Sequence, residues 1–185
     1  MKKAAKEFLA QGQERSVEVI IVNDSPWERV ELPENESHSF RLIVIDNKKN
    51  SGIHQSRVNG LEKAAGEYVL FLDQDDEISG DCLCTQIKAA RGADLVLGNG
   101  IFELPDHQKA AIYGNHFSLK FASRAKPNVM IRDFIVSPGQ CLIKKNSIPM
   151  EWRRCVMKKT ERMTICCGFL CSINKMSVSV NDVLL

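Results

Sequence analysis

The chain has 185 residues, 44% apolar and 26% charged, with 25 Lys and Arg against 23 Asp and Glu for a formal net charge of +2. That length and composition fit one globular domain with a real core and exclude a disordered chain, while the scattered basic residues leave no electrostatic footprint for nucleic acid. No apolar stretch approaches the roughly 20 residues that span a bilayer, and Met1-Lys2-Lys3 leads into no long apolar signal core, so a cytoplasmic protein without a membrane span is expected.

The first strand-like run covers residues 17–22 (Val-Glu-Val-Ile-Ile-Val) and ends in Asn23-Asp24-Ser25-Pro26. Asn23-Asp24-Ser25 and Asn35-Glu36-Ser37 both match the glycosylation sequon, and without a secretory signal both read as loop composition. A second run at 41–45 (Arg-Leu-Ile-Val-Ile) ends in Asp46-Asn47. Residues 53–65 place Ile53, Val58, Leu61, Ala64 and Ala65 on one helical face, closed by Gly66. A third run at 68–72 (Tyr-Val-Leu-Phe-Leu) has the unbroken apolar character of a strand buried on both faces. A strand-helix-strand crossover of this kind implies parallel pairing. A second helix over 81–90 and a strand over 93–97 follow. Residues 99–128, punctuated by Pro and polar residues, read as a long loop with at most one short amphipathic piece. Ser137-Pro138-Gly139 then turns into a further strand reaching Lys145. The alternation predicts a three-layer α/β/α sandwich.

The seven cysteines show no CxxC spacing: Cys82 and Cys84 are one residue apart, and Cys155, Cys166, Cys167 and Cys171 crowd the C-terminal end. Neither a disulfide framework nor a cysteine metal site is expected, and reduced thiols are the better reading.

The most informative stretch is the third run, which stops in Asp73, Asp75 and Asp76 within four residues. Isolated carboxylates are costly to bury. Acids at the carboxyl end of a buried strand therefore suit a crevice that holds a cation or polar ligand, as open α/β sheets do at that end. The alternative is an acidic turn in which Asp76 caps the next helix.

Three spaced motifs carry a resemblance. Val22-Asn23-Asp24-Ser25, the stretch Asn50-Ser51-Gly52-Ile53-His54-Gln55-Ser56-Arg57-Val58-Asn59-Gly60-Leu61, and Gly66-Glu67-Tyr68-Val69-Leu70-Phe71-Leu72-Asp73-Gln74-Asp75-Asp76 resemble, in order and spacing, the nucleotide-sugar half of family 2 glycosyltransferases. The match runs over residues 8–90 and more loosely to 149. The resemblance implies a Rossmann-like GT-A fold forming one domain, with residues 1–98 the nucleotide-sugar half and 99–185 the acceptor side. It also implies a nucleotide-diphosphate sugar donor, most simply a UDP-sugar, and a divalent Mg²⁺ or Mn²⁺ ion. By resemblance Asp24 would hydrogen-bond the base, Arg57 would contact the donor, Asp73 would meet the ribose and share the ion, and Asp75 would bind the ion. One or two carboxylates holding such an ion suit a reaction in which a diphosphate departs with growing negative charge. The implied activity is inverting sugar transfer to a hydroxyl of a glycan or lipid-linked acceptor, in cell-surface polysaccharide synthesis.

Taken one at a time, the same residues have plainer readings. Asp24 can initiate the turn before Pro26, Arg57 can pair with Glu62 along its helix, and His54 is structural or solvent-facing. Gly52 and Gly60 read as backbone and packing glycines.

Two departures from the family pattern accompany the match. Members begin with a further strand before the first helix, whereas Phe8-Leu9-Ala10-Gln11 resembles the interior of that helix. The first strand is therefore expected to be missing, leaving a sheet edge unpaired, the nucleotide pocket open on one side and self-association possible. Inverting members also place a carboxylate pair, which supplies the general base, shortly before a Trp. Residues 159–169 read Lys-Thr-Glu-Arg-Met-Thr-Ile-Cys-Cys-Gly-Phe, where Glu161 is the only carboxylate, so no catalytic base is assigned. The genetic code offers a reason. A Met codon ends in G and a Thr codon begins AC, so the triplet across Met163 and Thr164 encodes Asp; the triplet across Cys166 and Cys167 encodes Leu. The shifted frame permits Asn-Gly-Ala-Asp-Asp-Tyr-Leu-Leu-Trp. Residues 160–171 are accordingly read as translated out of frame, and a coding strand unable to give that string ends the idea. Two functions follow: an active transferase, or a catalytically inactive remnant that at most binds nucleotide. A phosphoryl-transfer or response-regulator-like domain also places Asp at strand ends, but the motif at 50–61 argues against it.

Overall fold

The computed structural model describes residues 2–10, 16–32, 40–112, 138–154 and 178–184. The β-branched run at 17–22 forms β1 (Glu18–Asn23), which pairs in parallel with β2 (Arg41–Asp46) in the register Glu18↔Arg41 through Asn23↔Asp46. Parallel strands need a crossover, and α2 (Ile53–Lys63) supplies the one from β2 to β3 (Tyr68–Leu70). Helix α2 starts after Gly52, whose φ of +82° favours glycine. It buries His54, Val58 and Leu61, while Ile53 stays 47% exposed. At Gly60 the helix lies so close to β1 that an added Cβ would sit 3.2 Å from Val22 Cγ2. The absent side chain allows that approach.

Helix α1 (Lys2–Leu9) buries Ala4, Ala5 and Phe8, a one-sided spacing, and packs on α3 (Cys82–Ala90). Strand β4 (Leu95–Asn99) is buried along its whole length. The hairpin strand pair β5 (Ile101–Glu103) and β6 (Lys109–Ala111) leaves its exposed side chains Ile101 and Leu104 facing solvent. Strand β7 (Cys141–Lys144) and the short helix α4 (Met150–Arg154) follow, then β8 (Val178–Leu184). The larger sheet has the order β3-β7-β4-β8. Strand β7 runs antiparallel to both neighbours, and β4 and β8 are parallel. One buried apolar cluster joins Ala90, Val96 and Leu142, with Tyr68, Leu70, Ile87 and Ala89 packed against it.

Four expectations change. The run expected as a strand over 68–72 stops pairing at Leu70, where its ladder with β7 ends at Leu70↔Leu142. That strand is also half-buried rather than buried on both faces; the fully buried strand is β4. Asp76 does not cap the following helix, which starts at Cys82 after Asp81. The stretch read as a loop over 99–128 contains the β5–β6 hairpin; two three-residue strands offer too little periodicity to detect, and residues 113–137 lie outside the described residues. Among the described residues β1 has β2 as its one strand partner and β3 has β7, so each presents an edge without a strand neighbour.

Cys82, Cys84 and Cys141 are buried free thiols. Burial, with the nearby Asp81 carboxylate, pushes the Cys82 thiol up to about 11. Cys82 is therefore expected to resist iodoacetamide in the native protein and to react after denaturation, as peptide mapping would show; rapid native labelling would contradict this packing.

Candidate active site

The in-register β1–β2 ladder carries Asn23 and Asp46 to the same level at the carboxyl ends of their strands. There the Asn23 amide nitrogen donates to Asp46 Oδ1 at 2.9 Å and to the Glu28 carbonyl at 2.8 Å, while its oxygen accepts the Ser25 N–H at 3.0 Å. The next residues form a second tier. Asn47 Nδ2 donates to Asp24 Oδ1 at 2.8 Å and to Ser56 Oγ at 3.0 Å, and Asn47 Oδ1 accepts from Asn59 Nδ2 at 2.8 Å. Ser56 and Asn59 lie one turn apart on α2, so the helix face is keyed to the end of β2.

Asp24 is the hub. Its Oδ1 also accepts the Ser51 N–H at 2.8 Å and its Oδ2 accepts the Gly52 N–H at 2.8 Å. Two successive backbone N–H groups thus converge on one carboxylate. Burial raises the Asp24 pKa, but the Ser51 N–H, the Asn47 side chain, the Gly52 N–H and Ser56 together outweigh it and hold the carboxyl below its ordinary 3.8. With Ser56 counted, four donors surround a carboxylate that offers roughly four lone-pair positions, and Oδ2 takes the Gly52 N–H.

A folded-state pKa below the unfolded one stabilises the native state fully above about pH 3.8, and that contribution is lost as pH falls through the lower folded value. In Asp24→Asn an amide NH₂ meets backbone N–H groups. The variant is expected to be less stable by about 1–3 kcal/mol at neutral pH, and to show a weaker loss of stability on acidification. Urea titrations across the acid range check both; parallel pH profiles for native and variant would remove Asp24 from this role.

The third element of the site is the acidic turn after β3. The Asp76 N–H donates to the Asp73 carbonyl at 3.2 Å, which closes a turn around Gln74 and Asp75, both exposed. Arg57, reaching from α2, donates from Nη2 to Asp73 Oδ1 at 2.6 Å, with the guanidinium side chain only 12% exposed. Arg57 thus pairs with Asp73, not with Glu62. Oδ2 of Asp73 and the carboxylate of Asp75 remain available.

The structure therefore brings Asp73, Asp75 and Arg57 together, and α2 ties them to the Asp24 cluster through Gly52, Ser56 and Asn59. His54 lies inside: it is 5% exposed, its Nε2–H donates to the Trp152 carbonyl at 3.0 Å, and its ring meets the Trp152 ring edge-on at 4.7 Å. The sequence reading did not single out Asn47, Ser51, Ser56 and Asn59. A signal existed, since both strands end in adjacent polar pairs, but their partners lie in another element. Residues 160–171, including Glu161, lie outside the described residues.

Among the described residues no group of three or more His, Cys, Asp or Glu side chains could hold a metal ion. A magnesium-type ion that takes most of its ligands from phosphates and water needs only one or two carboxylates. The exposed Asp75 and the remaining oxygen of Asp73 meet that requirement.

The profile of Glycosyl transferase family 2 matches residues 2–149. A Haemophilus influenzae protein described as an uncharacterized glycosyltransferase is 42% identical over 73 residues, 40% of this chain and 24% of its own length. The Campylobacter jejuni GalNAc(5)-diNAcBac-PP-undecaprenol beta-1,3-glucosyltransferase is 31% identical over 94 residues, 48% of this chain and 30% of its own. The chain thus spans less than a third of these relatives' lengths. The crystal structure of S. aureus TarS 1-349 superposes with a TM-score of 0.52 at 20% identity, over 88% of this chain and 48% of that one, a likeness of fold. With the profile match spanning most of its length, the chain belongs to glycosyl transferase family 2.

Proposed function

We propose that this chain binds a nucleotide-diphosphate sugar, most simply a UDP-sugar, and transfers the sugar with inversion to a hydroxyl of a glycan or lipid-linked acceptor. The observation that carries the reading is the Arg57–Asp73 pair beside the exposed Asp75, held by α2 to the Asp24 cluster. Asp24 meets a ring N–H of the base, Asp73 takes the ribose, and Asp73 and Asp75 are the residues that would hold a divalent ion. Arg57, already anchored by Asp73, directs its remaining donors at the diphosphate. When bound, a divalent ion would supply Lewis-acid chemistry that offsets charge on a departing diphosphate. The Campylobacter relative's description as a glucosyltransferase acting on an undecaprenol-diphosphate-linked chain supports a lipid-linked glycan acceptor and a place in surface polysaccharide assembly.

One sequence observation favours a second reading, in which the chain binds nucleotide without transfer: residues 159–169 hold Glu161 as their single carboxylate. No helix among the described residues is long and apolar enough to cross a membrane, so both readings can be tested in buffer. Calorimetric titration with UDP should show binding that strengthens with Mn²⁺. Radiolabelled UDP-sugars then separate the two readings by release or transfer of label; absence of UDP binding under any condition would end both.

A further inference from the structure

The loop that leaves β1 is fixed from within. Buried Asn23 accepts the Ser25 N–H and donates to the Glu28 carbonyl, and the Glu28 N–H donates to the Ser25 carbonyl at 2.9 Å. The turn 25–28 is thereby closed on both sides, and its third residue is Trp27. That indole is 71% exposed, and among the described residues it has no ring contact and no hydrogen bond. It follows Asp24 by three residues, within roughly 11 Å of fully extended chain. Ile53, 47% exposed, follows Gly52, whose N–H binds Asp24 Oδ2. Two exposed apolar side chains thus stand on the two segments that Asp24 ties together. A large aromatic displayed on a rigid turn beside an ordered polar cluster has the features of a stacking platform, because the cost of ordering it has already been met by the fold.

We propose that Trp27 is a binding residue for the donor, stacking on the face of the nucleobase while Asp24 Oδ2 accepts from the base edge. The inference rests on the nucleotide-sugar reading above. Stacking reads a π-face rather than an edge pattern, so Trp27 contributes affinity for any nucleoside diphosphate and Asp24 contributes the choice among bases. The diphosphate lies toward Arg57 and Asp75 and gains nothing from the indole.

The chain has two tryptophans, and Trp152 is 1% exposed, so a change in tryptophan emission on adding nucleotide reports on Trp27. UDP is expected to quench the emission of the native chain. In Trp27→Phe, calorimetry should show UDP bound within about threefold of native, since a ring is retained, with the quenching gone. Trp27→Ala should bind UDP roughly 5- to 100-fold more weakly, yet bind inorganic pyrophosphate with Mn²⁺ as the native chain does. Because the residue is exposed, both variants should keep the native thermal midpoint. The inference is overturned if Trp27→Ala binds UDP like the native chain, or if it loses pyrophosphate affinity equally. It is also overturned if emission ignores UDP and follows protein concentration instead, the mark of a contact between copies. UDP binding that persists unchanged in Trp27→Ala leaves the donor reading standing; a native chain that binds no nucleoside diphosphate at all removes both.

Discussion

Asp75→Ala is expected to leave UDP binding measurable and to remove its dependence on Mn²⁺. Asp75 is exposed at the tip of the turn closed by the Asp76 N–H and the Asp73 carbonyl, so the substitution takes away a carboxylate without opening the core. Asp73, by contrast, gives one oxygen to Arg57 at 2.6 Å, and its loss would leave a largely buried guanidinium without its acid. Asp75 is therefore the cleaner probe of the ion. In the native chain Mn²⁺ should tighten UDP binding on the order of tenfold or more, about 1.4 kcal/mol, and in Asp75→Ala the two affinities should coincide. Glu62→Ala, an exposed acid on α2 that Arg57 does not use, serves as the control and should behave like the native chain. If Mn²⁺ strengthens UDP binding equally in all three proteins, the acidic turn is not an ion site.

Trp152→Ala should destabilise the fold by about 3–5 kcal/mol, the range for truncating a fully buried large aromatic. Trp152 lies at a junction of distant segments. Its ring meets His54 of α2 edge-on at 4.7 Å and Phe71, just after β3, at a centroid distance of 5.8 Å, and its carbonyl accepts from His54 Nε2. Truncation opens a cavity beneath the segment that leads from β3 to Asp73. In a domain of this length that loss corresponds to a fall of roughly 6–20 °C in thermal midpoint. Trp152→Phe should recover part of it. A midpoint within 2 °C of native for the Ala variant, a shift worth on the order of 1 kcal/mol or less, would show that this junction is not part of the cooperative core.

These two expectations rest on different kinds of information. The β-branched runs of β1 and β2, the Gly-punctuated crossover helix and the acids at the end of the third run were legible in the chain, because strand and helix periodicity and turn chemistry are local. The grouping of Asp24, Arg57, Asp73 and Asp75 as one candidate site came from their spacing in a family pattern, and within it the structure shows the Arg57–Asp73 pair. The periodicity was less informative where burial depends on neighbours. Ile53 was placed on the buried face of its helix and is exposed, while His54, taken as structural or solvent-facing, is buried against Trp152, which lies 98 residues away.

The sequence by itself determined the first two strands, the crossover helix and which acids follow the strand runs, since each of these depends on residues a few positions apart. Only the tertiary structure decided what those acids are bonded to. Asp24 is spent largely on the N–H groups of Ser51 and Gly52 and on Asn47, Arg57 takes Asp73 rather than Glu62, and β7 enters antiparallel between β3 and β4, with the third strand's ladder ending at Leu70. The physical reason is that a hydrogen bond or a ladder register is fixed by two segments at once. A carboxylate with several possible donors is assigned by the packing that carries one set of them to within 3 Å, and that packing is a property of the whole chain.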